Sequence, residues 1–440
     1  MAGASTQGPN KWLQLAALST VPLIMVLGNS MLIPVLPDMG KEMGLSKSVT
    51  GLAVTAFSLS AGVGIALAGF LADRIGRKAV IVPSLLIYGF GGLVSGFGGL
   101  WWGGDSFWVV MAGRVIQGLG AAGTAPVAMA FVGDLFKGGQ RVTGLGILEA
   151  SNGLGKVVSP ILGALVGALF TWWAVFFAYA ALSVPFALAV AFFTKEPQRQ
   201  KTGSAGQYFG AVAQVFKQKG GPLVACFWAG TVALFILFGV LFFLSEHLEN
   251  VYGIDGVPKG ILIAWPVLAM SVTSFSSGLF LQSHQQLLKP AVVSGLIVEI
   301  VGMVLVAFVP QYWAFFTGII IGGVGTGLQL PGLNNLITSA AGTEQRAAVT
   351  ALYGAVRFIG VAFGPPIYGL IMKYGDAPPF WFSAGVLALT LAVALFFIKP
   401  NVLAGQGGGG GQKQQGKKLP TWQVPENLPQ GTRSKRYRPS

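Results

Sequence analysis

The chain has 440 residues, 53% of them hydrophobic and only 10% charged, with a mean hydropathy of +0.69. A soluble globular chain carries roughly 25% charged residues, so this balance excludes water as the solvent for most of the surface and points to lipid. One cysteine, Cys226, excludes an intrachain disulfide; His247 and His284 have no Cys or His at ligand spacing, so no metal site is expected.

Apolar runs predict twelve membrane-crossing helices, near 12–36, 50–72, 79–100, 107–132, 142–168, 172–194, 222–245, 260–282, 290–309, 312–337, 347–372 and 379–398. Each is about 20 residues or longer, enough to cross a hydrocarbon core roughly 30 Å thick. Lys11 precedes the first run and no small-residue cleavage site ends it, which reads as a retained first helix. An even number of spans leaves both termini on one side. Of the 28 Lys and Arg, 21 fall on that terminal side and 4 on the other, a bias that makes the terminal side cytoplasmic and the membrane the cell membrane. The net charge of +14 is therefore mainly a topology signal, and no nucleic-acid partner is expected.

In chain order, the first span carries Asn29 and closes at Asp38 after Pro34 and Pro37, at the mouth opposite the termini. Between the second and third spans, residues 69–78 read G-F-L-A-D-R-I-G-R-K, a charged turn too short for anything but a tight reversal. The fourth span holds Arg114-x-x-Gln117-Gly118-x-Gly120 and ends near Asp134. An arginine in hydrocarbon costs on the order of 3 kcal/mol even on a lenient scale, so Arg114 must face a partner or a wet cavity. Residues 118–123 spell the dinucleotide fingerprint G-x-G-x-x-G, but mid-span, where small residues serve close helix approach; no cofactor is expected.

The fifth span places Glu149, Asn152 and Lys156 at i, i+3 and i+7, one helix face. The two charges are two turns apart, roughly 10 Å, so each needs another helix, water or substrate. Between the sixth and seventh spans, Tyr208, Phe209, Val212, Val215 and Phe216 at helical spacing, flanked by lysines, predict a short amphipathic helix on anionic inner-leaflet lipid. Phe235, Phe238 and Phe242 with Trp265 offer an aromatic wall for a flat substrate. Glu299 lies mid-way along the ninth span, with either a structural or a proton-carrying role. Tyr353 and Arg357 share a face of the eleventh. From Gly405 onward the Gly-, Lys-, Arg- and Gln-rich sequence predicts a disordered basic tail, another candidate lipid tether.

The chain repeats itself. Gln140, Arg141, Gly155 and Pro160 recur as Gln345, Arg346, Gly360 and Pro365 at an offset of 205, and Gly163 recurs as Gly369 with a slip of one. At the same offset Arg357 faces back to Asn152. This predicts a six-helix bundle over 1–194, a linker over 195–221, a second bundle over 222–398 and a tail over 399–440, with a site between the bundles. The second copy of the charged loop, residues 278–289, has no Asp and no Arg, so the halves are asymmetric.

The loop at 69–78 resembles the signature loop of the major facilitator superfamily, fitted by Asp73, Arg74, Gly76, Arg77 and Lys78. The Arg114 motif resembles one of its proton-coupled antiporters. The Gly155, Pro160 and Gly163 run resembles the hinge motif of its exporters, with Ser159 where glycine is usual. The resemblance covers about residues 12–398 and is closest to the twelve-helix drug:proton antiporters. It implies an all-α membrane protein of two pseudo-symmetric bundles, not an enzyme, exporting an amphipathic or drug-like molecule by alternating access as a monomer. It further implies a cytoplasmic latch of Asp73, Arg74, Gly76, Arg77, Lys78 and Asp134. Asp73 would face the start of the eleventh span near residues 344–348, and Arg77 would pair with Asp134. Proton coupling would fall to Glu149 tuned by Arg114, with Asp38 and Glu299 as further candidates. Substrate would meet Asn29, Glu149, Asn152, Lys156, Phe238, Trp265, Tyr353 and Arg357. Two alternatives stay open: an exporter or flippase of an anionic metabolite or lipid-linked sugar, suited by three embedded cations against two carboxylates, and a non-transporting sensor of the same fold.

Overall fold

The computed structural model describes residues 10–101, 106–196, 205–308, 311–342 and 345–404. The sequence-predicted tail from 405, and residue 344 facing the latch, lie outside the described residues. Twelve helices are long and apolar enough to cross a membrane. The first six are Lys11–Glu42, Lys47–Ile75, Arg77–Leu100, Phe107–Leu135, Thr143–Leu169 and Ala174–Phe193. The second six are Ala213–Asn250, Gly256–Ser283, Gln285–Phe308, Trp313–Ala340, Ala348–Tyr374 and Pro378–Phe397.

Two spans break where the sequence withdraws a backbone donor. The first is helical over Lys11–Ser30 and Leu36–Glu42, joined by a 3₁₀ turn at Ile33–Val35 that contains Pro34. The fourth is split into Phe107–Ala122 and Ala125–Leu135 by Gly123 and Thr124, ahead of Pro126. The seventh corrects an expectation. Within Ala205–Asn250 the helix breaks at Lys219 (φ −128°, ψ 20°), so a short linker helix meets the span at a kink, and only the span's start moves earlier than expected. Lys219 fixes the bend by donating to the carbonyl oxygens of Ala340 at 2.8 Å and Leu403 at 2.7 Å. Val215 is buried and Phe216 packs on Phe227 with ring centroids 5.5 Å apart, so these two turn onto the bundle. The side chains of Tyr208, Phe209 and Val212 lie outside the described residues.

The first six spans pack mainly among themselves, as do the last six, and the halves meet where the second span packs on the eleventh and the fifth on the eighth. Adding six to each span number maps one seam onto the other, which is the pseudo-symmetry the repeat predicts. Glycine makes the close approaches. A Cβ on Gly120 would lie 2.7 Å from Cα of Tyr88, and one on Gly325 would lie 2.5 Å from the Glu299 nitrogen and 2.8 Å from its Cβ. The match at 205 on the fourth and tenth spans thus brings Tyr88 and Glu299 to equivalent places on the third and ninth.

The fifth span seats Gly163 against the break in the first, where a Cβ would lie 2.7 Å from the carbonyl carbon of Met31. Gly163→Val should therefore cost about 1–3 kcal/mol through overpacking. The expected readout is a lower melting temperature of the purified protein; an unchanged one contradicts this packing.

Candidate functional site

The two halves are tied on the side away from the termini. Glu249, near the end of the seventh span and 8% exposed, accepts through Oε1 from Lys41 of the first span and through Oε2 from Lys259 of the eighth at 2.7 Å. Lys259 is 1% exposed and also reaches Asp255 at 2.9 Å. Glu246 pairs with Lys47 of the second span at 3.4 Å, and Ser245 Oγ donates to the Ile33 carbonyl at 2.9 Å. Asp38, Glu249 and Asp255 bring carboxyl oxygens within 4.8 Å of one another, and the Lys259 ammonium bonds two of the three. An internal cation thus serves this acidic cluster. Beside it, Pro34, Asp38, Trp172, Asp255 and Lys259 help to line a cavity of about 260 Å³ between the halves. Burial works to raise the Asp255 pKa, but hydrogen bonds from Lys259 and the Gly256 N–H outweigh it and hold the carboxyl below its usual range.

Lower in the same seams the contacts are backbone to backbone. Gly260 packs on Ile161 with a virtual Cβ 3.0 Å from its Cα, and Gly369 packs on Ser48 at 2.8 Å. Thr55 Oγ1 donates to the Ala362 carbonyl at 2.5 Å. Toward the termini the fifth and eleventh spans each present open faces, while the second span still meets the eleventh, where a Cβ on Gly62 would lie 3.0 Å from the Ala355 carbonyl oxygen. A Cβ on Gly146 or Gly153 of the fifth span, or on Gly354 of the eleventh, would meet no atom within 4 Å. Glu149 is exposed on that fifth-span face, Asn152 and Lys156 are half-buried, and Lys156 lies within electrostatic reach of both Glu149 and Arg357. Arg357 sits over the Tyr353 ring at 5.2 Å, and Tyr353 stacks on Phe227. The Arg357 Nε–H and the Tyr353 hydroxyl are buried without a hydrogen-bond partner. Charge thus stands on both the fifth and the eleventh spans, while the Tyr353 hydroxyl points into the second bundle at Gly230.

Arg114 is placed elsewhere. It is fully buried, donating to Ala53 and Gly28 carbonyls at 2.9 and 2.8 Å, to Gln117 Oε1 at 2.6 Å and to Asn29 Oδ1 at 2.9 Å. Its guanidinium covers the Phe57 ring at 4.4 Å, and Asn29 passes the network to Ser58. None of these acceptors is a carboxylate. The sequence grouping of Arg114 with Glu149, and of Asn29 with the substrate face, is therefore not the arrangement found. Both residues belong to a packed network inside the first bundle.

The charged loop is folded around Gly76, whose φ of +117° suits glycine. Arg77 Nε lies 2.6 Å from Asp134, and Arg77 is 3.5 Å from Asp73. Arg74 covers Phe70. The sequence reading missed Glu196, which accepts from the backbone N–H groups of Arg77 and Lys78 at 2.8 Å each and so caps the third span. Glu249 was missed too, since its partners come from other spans, and so was Lys259, although Asp255 stands at i, i+4 from it. Of the aromatic wall, Phe242 is fully buried, Phe235 packs edge-on against Tyr368 and Phe382, Phe238 is half-buried and Trp265 is 51% exposed. These four do not form one face. In the hinge, Pro160 and Gly163 sit at packed seams, and Gly155 rests on Leu23.

Comparison with known proteins matches residues 18–291 and 260–429 to the Major Facilitator Superfamily. The chain is 40% identical over 385 residues to the bacillibactin exporter of Bacillus subtilis (strain 168), spanning 87% of this chain and 95% of that protein. It is 26% identical over 381 residues to the quinolone resistance protein NorA of Staphylococcus aureus (strain COL), spanning 84% and 93%. Among solved structures it resembles a bacterial homologue of the human lysosomal transporter Spinster in an inward-facing, unoccupied conformation, with TM-score 0.67, 18% identity, and 92% and 98% coverage. A D-xylose–proton symporter aligns with TM-score 0.70, 13% identity, and 88% and 98% coverage. These structural likenesses concern the fold.

Lys259→Ala would leave Glu249, Asp255 and Asp38 crowded without their buried cation, and breaking a buried pair costs about 3–5 kcal/mol. Spin labels on cysteines at exposed Gly44 and Gly253, with buried Cys226 unreactive, should then report a longer distance than in the parent. An unchanged distance distribution contradicts the tie.

Proposed function

The chain belongs to the Major Facilitator Superfamily, and we propose that it exports a small molecule bearing an anionic group in exchange for protons. Lys156 and Arg357, on opposite halves and within electrostatic reach of each other across the open cleft, carry this reading. Glu149 offsets part of the Lys156 charge, and an anionic group on the ligand would offset Arg357 as well. The unpartnered Arg357 Nε–H adds a donor for the same group. The Arg357 guanidinium also offers a planar cation on which an aromatic ring can stack. The bacillibactin exporter and the NorA resistance protein are named for export and resistance, which supports the outward direction.

In this reading the terminal side is cytoplasmic and the protein rests open to the cytoplasm. Substrate enters the cleft, the halves rock, and the Glu249 tie gives way as the terminal side closes through the loop of Asp73, Arg77 and Asp134. The protein works as a monomer in the cell membrane, with its basic stretches against anionic inner-leaflet lipid. Glu149 stands two turns from Lys156 and orients the ligand by repelling its anionic end.

Binding of bacillibactin, tetracycline and a quinolone to the purified protein discriminates the ligand classes. Lys156→Gln and Arg357→Gln should each weaken bacillibactin binding by roughly 10–100-fold, since a hydrogen bond to a charged group is worth about 1.5–3 kcal/mol. Binding of any of these probes that neither substitution weakens contradicts the anionic reading. Orientation is checked separately: a cysteine at position 253 should react with an impermeant reagent from outside intact cells, and one at position 404 should not.

A further inference from the structure

Glu299 stands apart from the cleft. It is 1% exposed on the ninth span, and its oxygens accept from two neutral groups of the tenth: Thr326 Oγ1 to Oε1 at 3.1 Å and Gln329 Nε2 to Oε2 at 2.5 Å. The other facing elements bring no balancing charge. The seventh and eighth spans contribute Ile236, Val240 and Pro266 to an apolar cavity of about 10 Å³ that Glu299 also lines. The eleventh span contributes Tyr368, whose hydroxyl is bound to Ser383 of the twelfth. Among the described residues no lysine, arginine or histidine bonds to Glu299. A bare charge in hydrocarbon costs several kcal/mol, and a proton is the counter-ion this site can take.

We propose that Glu299 is a proton-carrying site of the second half, separate from the substrate cleft; this rests on the reading of proton-coupled export. The hydrogen bonds are built for both states. In the ionised form Thr326 donates to Oε1. Thr326 Oγ1 also lies 3.1 Å from the Gly322 carbonyl. When a proton from water forms an O–H bond on Oε1, the carboxyl donates to Thr326 Oγ1 and the Thr326 hydrogen turns to Gly322. The bond from Gln329 is untouched, and the buried, unpartnered Gln329 Oε1 offers a second acceptor. Neither state strands a carboxyl oxygen or the Thr326 hydroxyl, so the step changes charge and little else at these groups. Release reverses it, the proton leaving Oε1 as the Thr326 hydrogen turns back to the carboxylate.

The fold itself does not ask for an acid here. The equivalent place in the first half holds Tyr88, packed edge-on against Phe57 and Tyr179. If the carboxyl merely joined the ninth and tenth spans, Gln would replace it, since an amide of the same shape keeps a bond to each partner.

Infrared difference spectra between acid and neutral pH, on the full chain in lipid nanodiscs, need no substrate. The parent should show a protonated-carboxyl carbonyl band that Glu299→Gln removes. Thr326→Val, which takes away the switching hydroxyl, should displace that band, and it decides the matter if the Gln variant does not fold. Superimposable spectra in parent and variants overturn the proposal. A second arm follows pH-driven bacillibactin accumulation in proteoliposomes. Glu299→Gln should lose accumulation yet keep gradient-free exchange. If parent and variant both accumulate, Glu299 carries no coupling proton though coupling stands. If the parent itself fails to accumulate, proton-coupled export is refuted, and the infrared band alone settles whether Glu299 binds a proton.

Discussion

One carboxylate, Glu249, holds the halves together on the side away from the termini. It accepts from Lys41 of the first half and from Lys259 of its own, so both bundles converge on a group only 8% exposed. Two charged partners are what make its burial tolerable, because an uncompensated buried charge costs several kcal/mol. The backbone seams beneath it, where Gly260 meets Ile161 and Gly369 meets Ser48, need the halves to touch at van der Waals distance. The charge cluster supplies the reason they do. With that side shut, the two-fold arrangement of spans leaves the terminal side splayed, and the cleft with Lys156 and Arg357 opens there.

The cluster also limits where a proton can act. Asp255 is held low by Lys259 and the Gly256 N–H. Its folded pKa lies below the ordinary value, so its stabilising contribution is present above that value and is lost only as pH falls through the depressed one. Physiological acidification does not release this carboxyl from Lys259. The proposed coupling proton must therefore work at a group other than Asp255, and the uncharged, switchable surroundings of Glu299 suit it. The two halves divide the labour: Arg114 is frozen by four neutral acceptors in the first, and Glu299 keeps a choice of hydrogen-bond states in the second.

What the sequence made legible follows from which constraints are local. Lipid imposes length and apolarity on each span, so twelve helices and two repeated halves could be read without a contact in view. The tight turn at Gly76 and the pairing of Arg77 with Asp134 lie in short loops whose charges have few places to go. Glu249 was invisible because its partners Lys41 and Lys259 sit on different spans and no spacing rule links them, whereas Lys259 and Asp255 stand at i, i+4 and could have been paired from the sequence. Arg114 misled for a related reason: backbone carbonyls satisfy it, and a carbonyl leaves no mark on the sequence. The phenylalanines of the seventh span share a spacing but not an environment, since a helix buried on several sides sends successive rings to different neighbours. The linker helix meets the seventh span at a kink whose Lys219 ammonium is captured by two carbonyls, of Ala340 and Leu403, and carbonyl partners leave no mark on the sequence.

The central claim is that transport requires the seam beneath Glu249 to open. A Cβ on Gly256 would lie 3.4 Å from that of Ala168 across this seam, close to the 3.5–4.5 Å a disulfide spans. The direct measurement is substrate export by the Ala168→Cys, Gly256→Cys double variant before oxidation, after oxidation and after reduction, with each single variant as control. The account predicts that oxidation stops export, that reduction restores it, and that the single variants are indifferent to both. Undiminished export by fully cross-linked protein would contradict it.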